Sequence, residues 1–157
     1  MMKIVIGADH RGFALKEDLK MYLGALGYEI VDVGAKHLDP TDDYPDFAYP
    51  AAMLVATAEV ERGIVICGSG GGVTIAANKV AGVRAVEAHT VDHIFNARND
   101  DDANILALSA DETDSDTARE IAVAFLNTPF SGDERHQRRL DEIAEIEEDE
   151  DKEPMHE

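Results

Sequence analysis

Positive charge is scarce in this sequence: 14 lysines and arginines stand against 33 aspartates and glutamates, a formal net charge of −19. Such a surface repels phosphate backbones and anionic headgroups, which excludes non-specific binding to nucleic acid or to an acidic membrane. Cysteine is scarcer still. The single thiol, Cys67, cannot close a disulfide within the chain, and the expected setting is a reducing cytoplasm. One cysteine and six scattered histidines leave no metal site to expect, structural zinc included. Nowhere do about eighteen apolar residues follow one another, so no membrane span is expected. The start, MMKIVIGADHRG, reaches Asp9 and His10 too soon for a secretory signal. No repeat or linker divides the 157 residues, a length suited to a single core. The expected division is one domain over 1–146 and an acidic, disordered tail over 147–157.

What is present alternates. KIVIGA, EIVDVG, GIVICG, GVRAVEA and NILALSA read as short buried strands. Between them lie stretches of helical spacing, such as FALKEDLKMYLGAL stopped by Gly27 and SDTAREIAVAFLN stopped near Pro129. DFAYPAAMLVATAEVERG is also expected to be helical, with Pro50 tolerated only in a first turn. A last charged helix carries Leu140, Ile143 and Ile146. Strands and helices in alternation demand right-handed crossovers, giving a Rossmann-like, three-layer, doubly wound α/β domain. Its sheet is expected to be parallel and five-stranded, with a C-terminal helix. Ligands of such sheets sit beyond the carboxyl ends of the strands. There Asp9 and His10, then Cys67 and its glycines, then Ala88, His89 and residues 98–102 are expected to meet at one edge.

Three clusters carry chemistry, each with a plain alternative. In CGSGGG the thiol precedes a strand-to-helix turn nearly stripped of side chains, where backbone N–H groups cradle an anion. A thiol so placed favours its thiolate and can serve as a base; alternatively Cys67 is a small buried strand residue. The loop lacks the Lys-Ser or Lys-Thr of a Walker A sequence. As a dinucleotide signature, with Gly68, Gly70, Gly72 and Glu87, it is weak, because it follows the third strand. Asp9 and His10 either cap a helix or act on a ligand. Arg135, His136, Arg138 and Arg139 form either a salt-bridged helix face or a phosphate clamp.

GADHRGFALK, DYP at Tyr44, ICGSGGGVTIAANKVAGVRA, NILAL and RHQRR occur in the order found in the type B ribose-5-phosphate isomerases. Over about residues 3–146 the chain resembles that family, which includes galactose-6-phosphate isomerase subunits. The resemblance implies a cofactor-free isomerase that interconverts aldose and ketose phosphates through a cis-enediolate. It makes Cys67 the base, since the position of the alternative glutamate is Val73 here. It assigns Ser69 to proton transfer between O1 and O2, and the amides of Gly68, Gly70, Gly71 and Gly72 to the enediolate oxygen. Asp9 would hold sugar hydroxyls or help open the ring, Tyr44 would line the pocket, and His10, Arg135 and Arg139 would hold the phosphate with His136 nearby. The cations near the C-terminus serve the partner's site in this family, which implies a homodimer, with pairing into tetramers left open.

One departure stands out. Relatives carry His-Asn where this chain has Asp100 and Asp101. The histidine is assigned to ring opening, and a carboxylate is a poorer proton donor near neutrality than an imidazole. The default pair is ribose 5-phosphate and ribulose 5-phosphate. The alternatives are a tetrose, allose or galactose phosphate, or a homologue that binds sugar phosphate without turnover.

Overall fold

The computed structural model describes residues 1–150. Its elements alternate in the expected order: β1 (Lys3–Ala8), α1 (Phe13–Ala25), β2 (Glu29–Asp32), α2 (Pro45–Ala56), β3 (Arg62–Cys67), α3 (Gly71–Ala77), β4 (Ala85–Glu87), α4 (Val91–Asp101), β5 (Ile105–Ser109), α5 (Ser115–Asn127) and α6 (Glu134–Glu150). The five strands form one parallel sheet in the order β2-β1-β3-β5-β4. The chain winds outward from β1 to β2 on one side and to β3 on the other, so a crevice opens between the carboxyl ends of β1 and β3.

Strand periodicity sorts the core. Ile4, Ile6, Ile64 and Ile66 pack against α1, α4 and α5 through Leu15, Leu19, Ile94, Ile121 and Phe125. Val5, Val65 and Cys67, on the opposite face, pack against α2 and α3 through Ala48, Ala52, Val55, Val73 and Ala77. These are the three layers. Among the described residues, no helix is long and apolar enough to cross a membrane.

Two expectations change. Pro50 is not in a first turn: α2 begins at Pro45, and Pro50 lies inside it. The helix forgoes one backbone bond there and persists because Ala48, Ala51, Ala52 and Val55 are buried against the sheet. The boundary expected at residue 146 falls within α6, which continues to Glu150; residues 151–157 of the proposed tail lie outside the described part.

Candidate active site

Cys67 is the last residue of β3, 3 % exposed, with its side chain turned toward α2 and α3. Its Sγ accepts the Gly70 N–H at 3.2 Å, and Ser69 Oγ accepts the Gly71 N–H at 3.2 Å. Two amides expected to face a developing oxyanion are therefore engaged within the loop, with the sulfur and the hydroxyl as acceptors. The turn needs its glycines for two reasons. Gly70 has φ of 81°, a left-handed conformation costly for other residues, and a Cβ there would come within 2.7 Å of Glu87 Oε1. At Gly72 a Cβ would press on the Tyr44 ring at 2.6 Å, so the half-exposed tyrosine roofs the start of α3. Gly68 ties the loop to the next strand through its carbonyl, which accepts Ser109 Oγ at 2.7 Å and the Asp111 N–H at 3.0 Å.

Across the crevice, buried Asp9 uses Oδ1 to accept the N–H groups of Arg11 (3.0 Å) and Gly12 (3.1 Å). This short turn leads into α1, so the carboxylate organises the β1–α1 connection without being the residue adjoining the helix. His10 is held twice by Asp42 Oδ1: through its backbone N–H at 2.9 Å and its ring Nδ1 at 2.8 Å. The hydrogen bond that the His10 ring donates to Asp42 raises the His10 pKa above 6.5, outweighing the opposing effect of desolvation. Asp9, His10 and Asp42 present ligand atoms within 4.8 Å of one another, the one such grouping among the described residues. Asp9 Oδ1 is engaged by the backbone and Asp42 Oδ1 by His10, while Asp42 Oδ2 is buried without a hydrogen-bond partner.

The His10–Asp42 pair has a direct test. His10 should titrate above 6.5 in an NMR titration, and Asp42→Asn should return it toward 6.5. Because the folded value is the higher one, the pair's stabilisation is fully present below 6.5 and fades as pH rises through the raised value. An unchanged His10 titration in Asp42→Asn would remove Asp42 from this role.

The remaining expected residues gather elsewhere. Helix α4 runs antiparallel to the strands, so its end, with Asp100 and Asp101, lies at the amino edge of the sheet. Asp102 bonds Arg84 there, just before β4, and the Asn104 carbonyl accepts the Gly63 N–H at the start of β3. His136, in the first turns of α6, is 5 % exposed; its Nε2 is 3.7 Å from Asp100 Oδ1, and its Nδ1 lies 2.7 Å from Ser131 Oγ. Arg135 and Arg139 extend from the same helix into solvent. Asp101 lines a groove of about 430 Å³ with Leu140, Ile143 and Ile146 of α6 and Val83 and Val86 beside them. The expectation that all these groups meet at one edge is therefore corrected: within a subunit, a strand's length, roughly 15–20 Å, separates the α4–α6 cluster from Cys67. Reading residues 98–102 as a continuation of the fourth strand's carboxyl end ignored the return path of the helix.

The structure brings further residues to the loop and crevice. Arg11 lies against Gly68 and pairs with Asp111. Glu87 touches the Gly70 backbone and bonds His89 Nε2 at 2.9 Å. Asp42 orients His10. Of these only Glu87, the last residue of β4, figures in the sequence analysis, as the acidic residue of the weak dinucleotide signature; the other contacts join segments about 30 to 100 positions apart.

Comparison with known proteins gives a consistent match. The Ribose/Galactose Isomerase family model covers residues 4–143. Ribose-5-phosphate isomerase B of Escherichia coli is 40% identical over 147 residues, covering 94% of this chain and 97% of the relative. A type B ribose 5-phosphate isomerase structure from Trypanosoma cruzi superimposes with a TM-score of 0.92 at 43% identity, over 96% of this chain and 99% of the other. The Mycoplasma genitalium ribose-5-phosphate isomerase B structure, with bound ribulose-5-phosphate, gives 0.89 at 39% identity, over 93% and 96% respectively.

Proposed function

Because this chain belongs to the ribose/galactose isomerase family and is an isomerase, we propose that it interconverts ribose 5-phosphate and ribulose 5-phosphate at a site shared between two copies. The observation that carries the reading is a thiol at the end of β3 whose sulfur meets a loop amide, beneath a glycine turn roofed by Tyr44. The Cys67 thiolate takes the proton from C2 of the open-chain aldose, leaving a cis-enediolate, and returns it to C1 to give the ketose. Gly70 N–H supplies a donor for the sulfur while it is anionic. Ser69 carries the proton between O1 and O2, and loop amides other than those of Gly70 and Gly71 offset the charge that develops on the enediolate oxygen. Asp9 holds sugar hydroxyls, and His10, its pKa raised by the hydrogen bond to Asp42, faces the phosphate.

Separation of the two clusters favours a homodimer. Arg135, His136 and Arg139, with Asp100 and Asp101, lie at the wrong edge of their own sheet to reach Cys67, but a two-fold axis can carry them to the crevice of a second copy. There Arg135 and Arg139 bind the phosphate, and Asp100, accompanied by His136 at 3.7 Å, takes the position of ring-opening group. The carboxylate in place of a histidine also favours a second reading, an already open-chain tetrose phosphate as substrate.

The experiment is turnover of ribose 5-phosphate by wild type and by mixed dimers of Cys67→Ala with Arg139→Ala, assayed below KM. Each parent should be severely impaired. Random mixing should restore about a quarter of wild-type activity, because half the dimers then hold one intact site of two. No recovery on mixing would place Arg139 in its own subunit's site, and turnover of a tetrose phosphate alone would move the substrate to the second reading.

A further inference from the structure

The crevice holds a cation that neither the motif nor the proposed phosphate clamp uses. Arg11 follows Asp9 and His10 in the β1–α1 connection, and its backbone is fixed by the N–H donated to Asp9 Oδ1 at 3.0 Å. Its guanidinium rests against Gly68, where any Cβ would collide with Cζ, Nε and Nη1. Nη2 pairs with Asp111, which follows β5. One side chain thus crosses the carboxyl ends of three neighbouring strands, β1, β3 and β5, directly beside the residue that follows Cys67.

The absence of a side chain at Gly68 lets the guanidinium lie directly on the loop backbone. Gly68 is itself immobilised by Ser109 Oγ and the Asp111 N–H on its carbonyl. Arg11 and Asp111 are about half exposed, at 54% and 47%. An ion pair in contact with water is weak and exchangeable, and of the five guanidinium N–H donors Asp111 engages one, on Nη2. A phosphate dianion offers more acceptor oxygens and more charge than a carboxylate, and matches the guanidinium fork.

From this arrangement we infer that Arg11 is an anchor for the substrate phosphate supplied by the same subunit as Cys67, and that Asp111 is the carboxylate the phosphate displaces. The inference rests on the sugar-phosphate reading of the site and adds a cation to it. Arg11 is then a binding residue, and Asp111 tunes affinity by holding the guanidinium over the loop while competing with the ligand.

The test compares wild type, Arg11→Ala, Arg11→Lys and Asp111→Asn in two assays. In the first, inorganic phosphate binding is measured by calorimetry. Arg11→Ala should weaken it roughly tenfold to a hundredfold, the span of a charged hydrogen bond; Arg11→Lys should recover part of the loss, and Asp111→Asn should strengthen binding severalfold. In the second, the KM for ribose 5-phosphate should rise by a similar factor in Arg11→Ala with kcat within about threefold, a split that general loosening of the loop does not produce. Unchanged phosphate affinity in Arg11→Ala overturns the anchor, and weaker binding in Asp111→Asn overturns the displacement. Absence of ribose 5-phosphate turnover in wild type would count against the ribose 5-phosphate reading instead, since calorimetry reports on Arg11 without any chemistry.

Discussion

Cys67→Ala is expected to lower kcat for ribose 5-phosphate by about 10³-fold or more, the upper part of the range for a lost general base, while the dissociation constant stays within about threefold. The residue sits at the end of β3 with no contact that binding alone requires; it faces the Val73 and Ala77 side of the sheet and meets one loop amide. Removing one sulfur from a 3 % exposed position leaves a small cavity, with a cost of about 1 kcal/mol, so the variant should fold and still bind. Cys67→Ser preserves shape but replaces the thiol with a much weaker acid, and it should be nearly as slow. Titration of substrate into both variants separates binding from chemistry. Full turnover in Cys67→Ala would move the base to another group, with Glu87 the nearest carboxylate to the Gly70 backbone.

The second large effect lies outside the crevice. Lys16→Met is expected to destabilise the protein by about 3 kcal/mol, the lower end of the range for breaking a buried ion pair, or roughly 6–12 °C in Tm for a chain of this size. Lys16 is completely buried; its Nζ donates to both oxygens of Asp32, at 2.9 and 2.8 Å, and to the Ala35 carbonyl at 2.7 Å. Burial pushes the Asp32 carboxyl up, but hydrogen bonds from Lys16, Lys20 and the Gly34 N–H outweigh it and hold the value at about 2. The methionine leaves Asp32 with Lys20, the Gly34 N–H and the longer Lys36 ion pair at 3.8 Å, hence the lower end of the range. The consequence reaches the site, because Gly34 and Ala35 exchange backbone hydrogen bonds with Ala8, next to Asp9.

Acid sensitivity gives the same interaction a second readout. Asp32 has the lower pKa when folded, so its stabilisation is present above 3.8 and is lost as pH falls from 3.8 toward about 2. That shift corresponds to about 2 kcal/mol, and Lys16→Met should remove most of this acid-labile part. Thermal melts of both proteins from pH 2.5 to 7 decide it. An unchanged Tm at neutral pH would mean that the buried ammonium is exchangeable for an apolar chain of similar length.

Local order was legible from spacing. SDTAREIAVAFLN forms α5 over the residues its periodicity marked, and KIVIGA forms β1 without a shift. The glycine loop also announced itself, since a thiol followed by side-chain-free residues between a strand and a helix has few structural uses. Pro50 shows the limit of such reasoning: the rule that confines proline to a first turn is local, and the buried alanine face of α2 overrides it. Lys16 shows it again. Nothing in its neighbours Leu15 and Glu17 marks it for burial; it is buried because Asp32 and Ala35 come from a separate strand and turn to receive it.

By itself the sequence determined the alternation of five strands with helices, the two faces of each inner strand, the identity of the thiol loop and the family resemblance. All of these are encoded in neighbours two to seven positions apart, where the backbone period converts residue type directly into a buried or exposed face. Only the tertiary structure decided the strand order that sets β5 between β3 and β4, the return of α4 that carries Asp100 and the α6 cations to the far edge, and the meetings of Arg11 with Asp111 and of His10 with Asp42. These contacts join segments far apart in the chain, and the packing of whole layers, rather than any local pattern, brings them together.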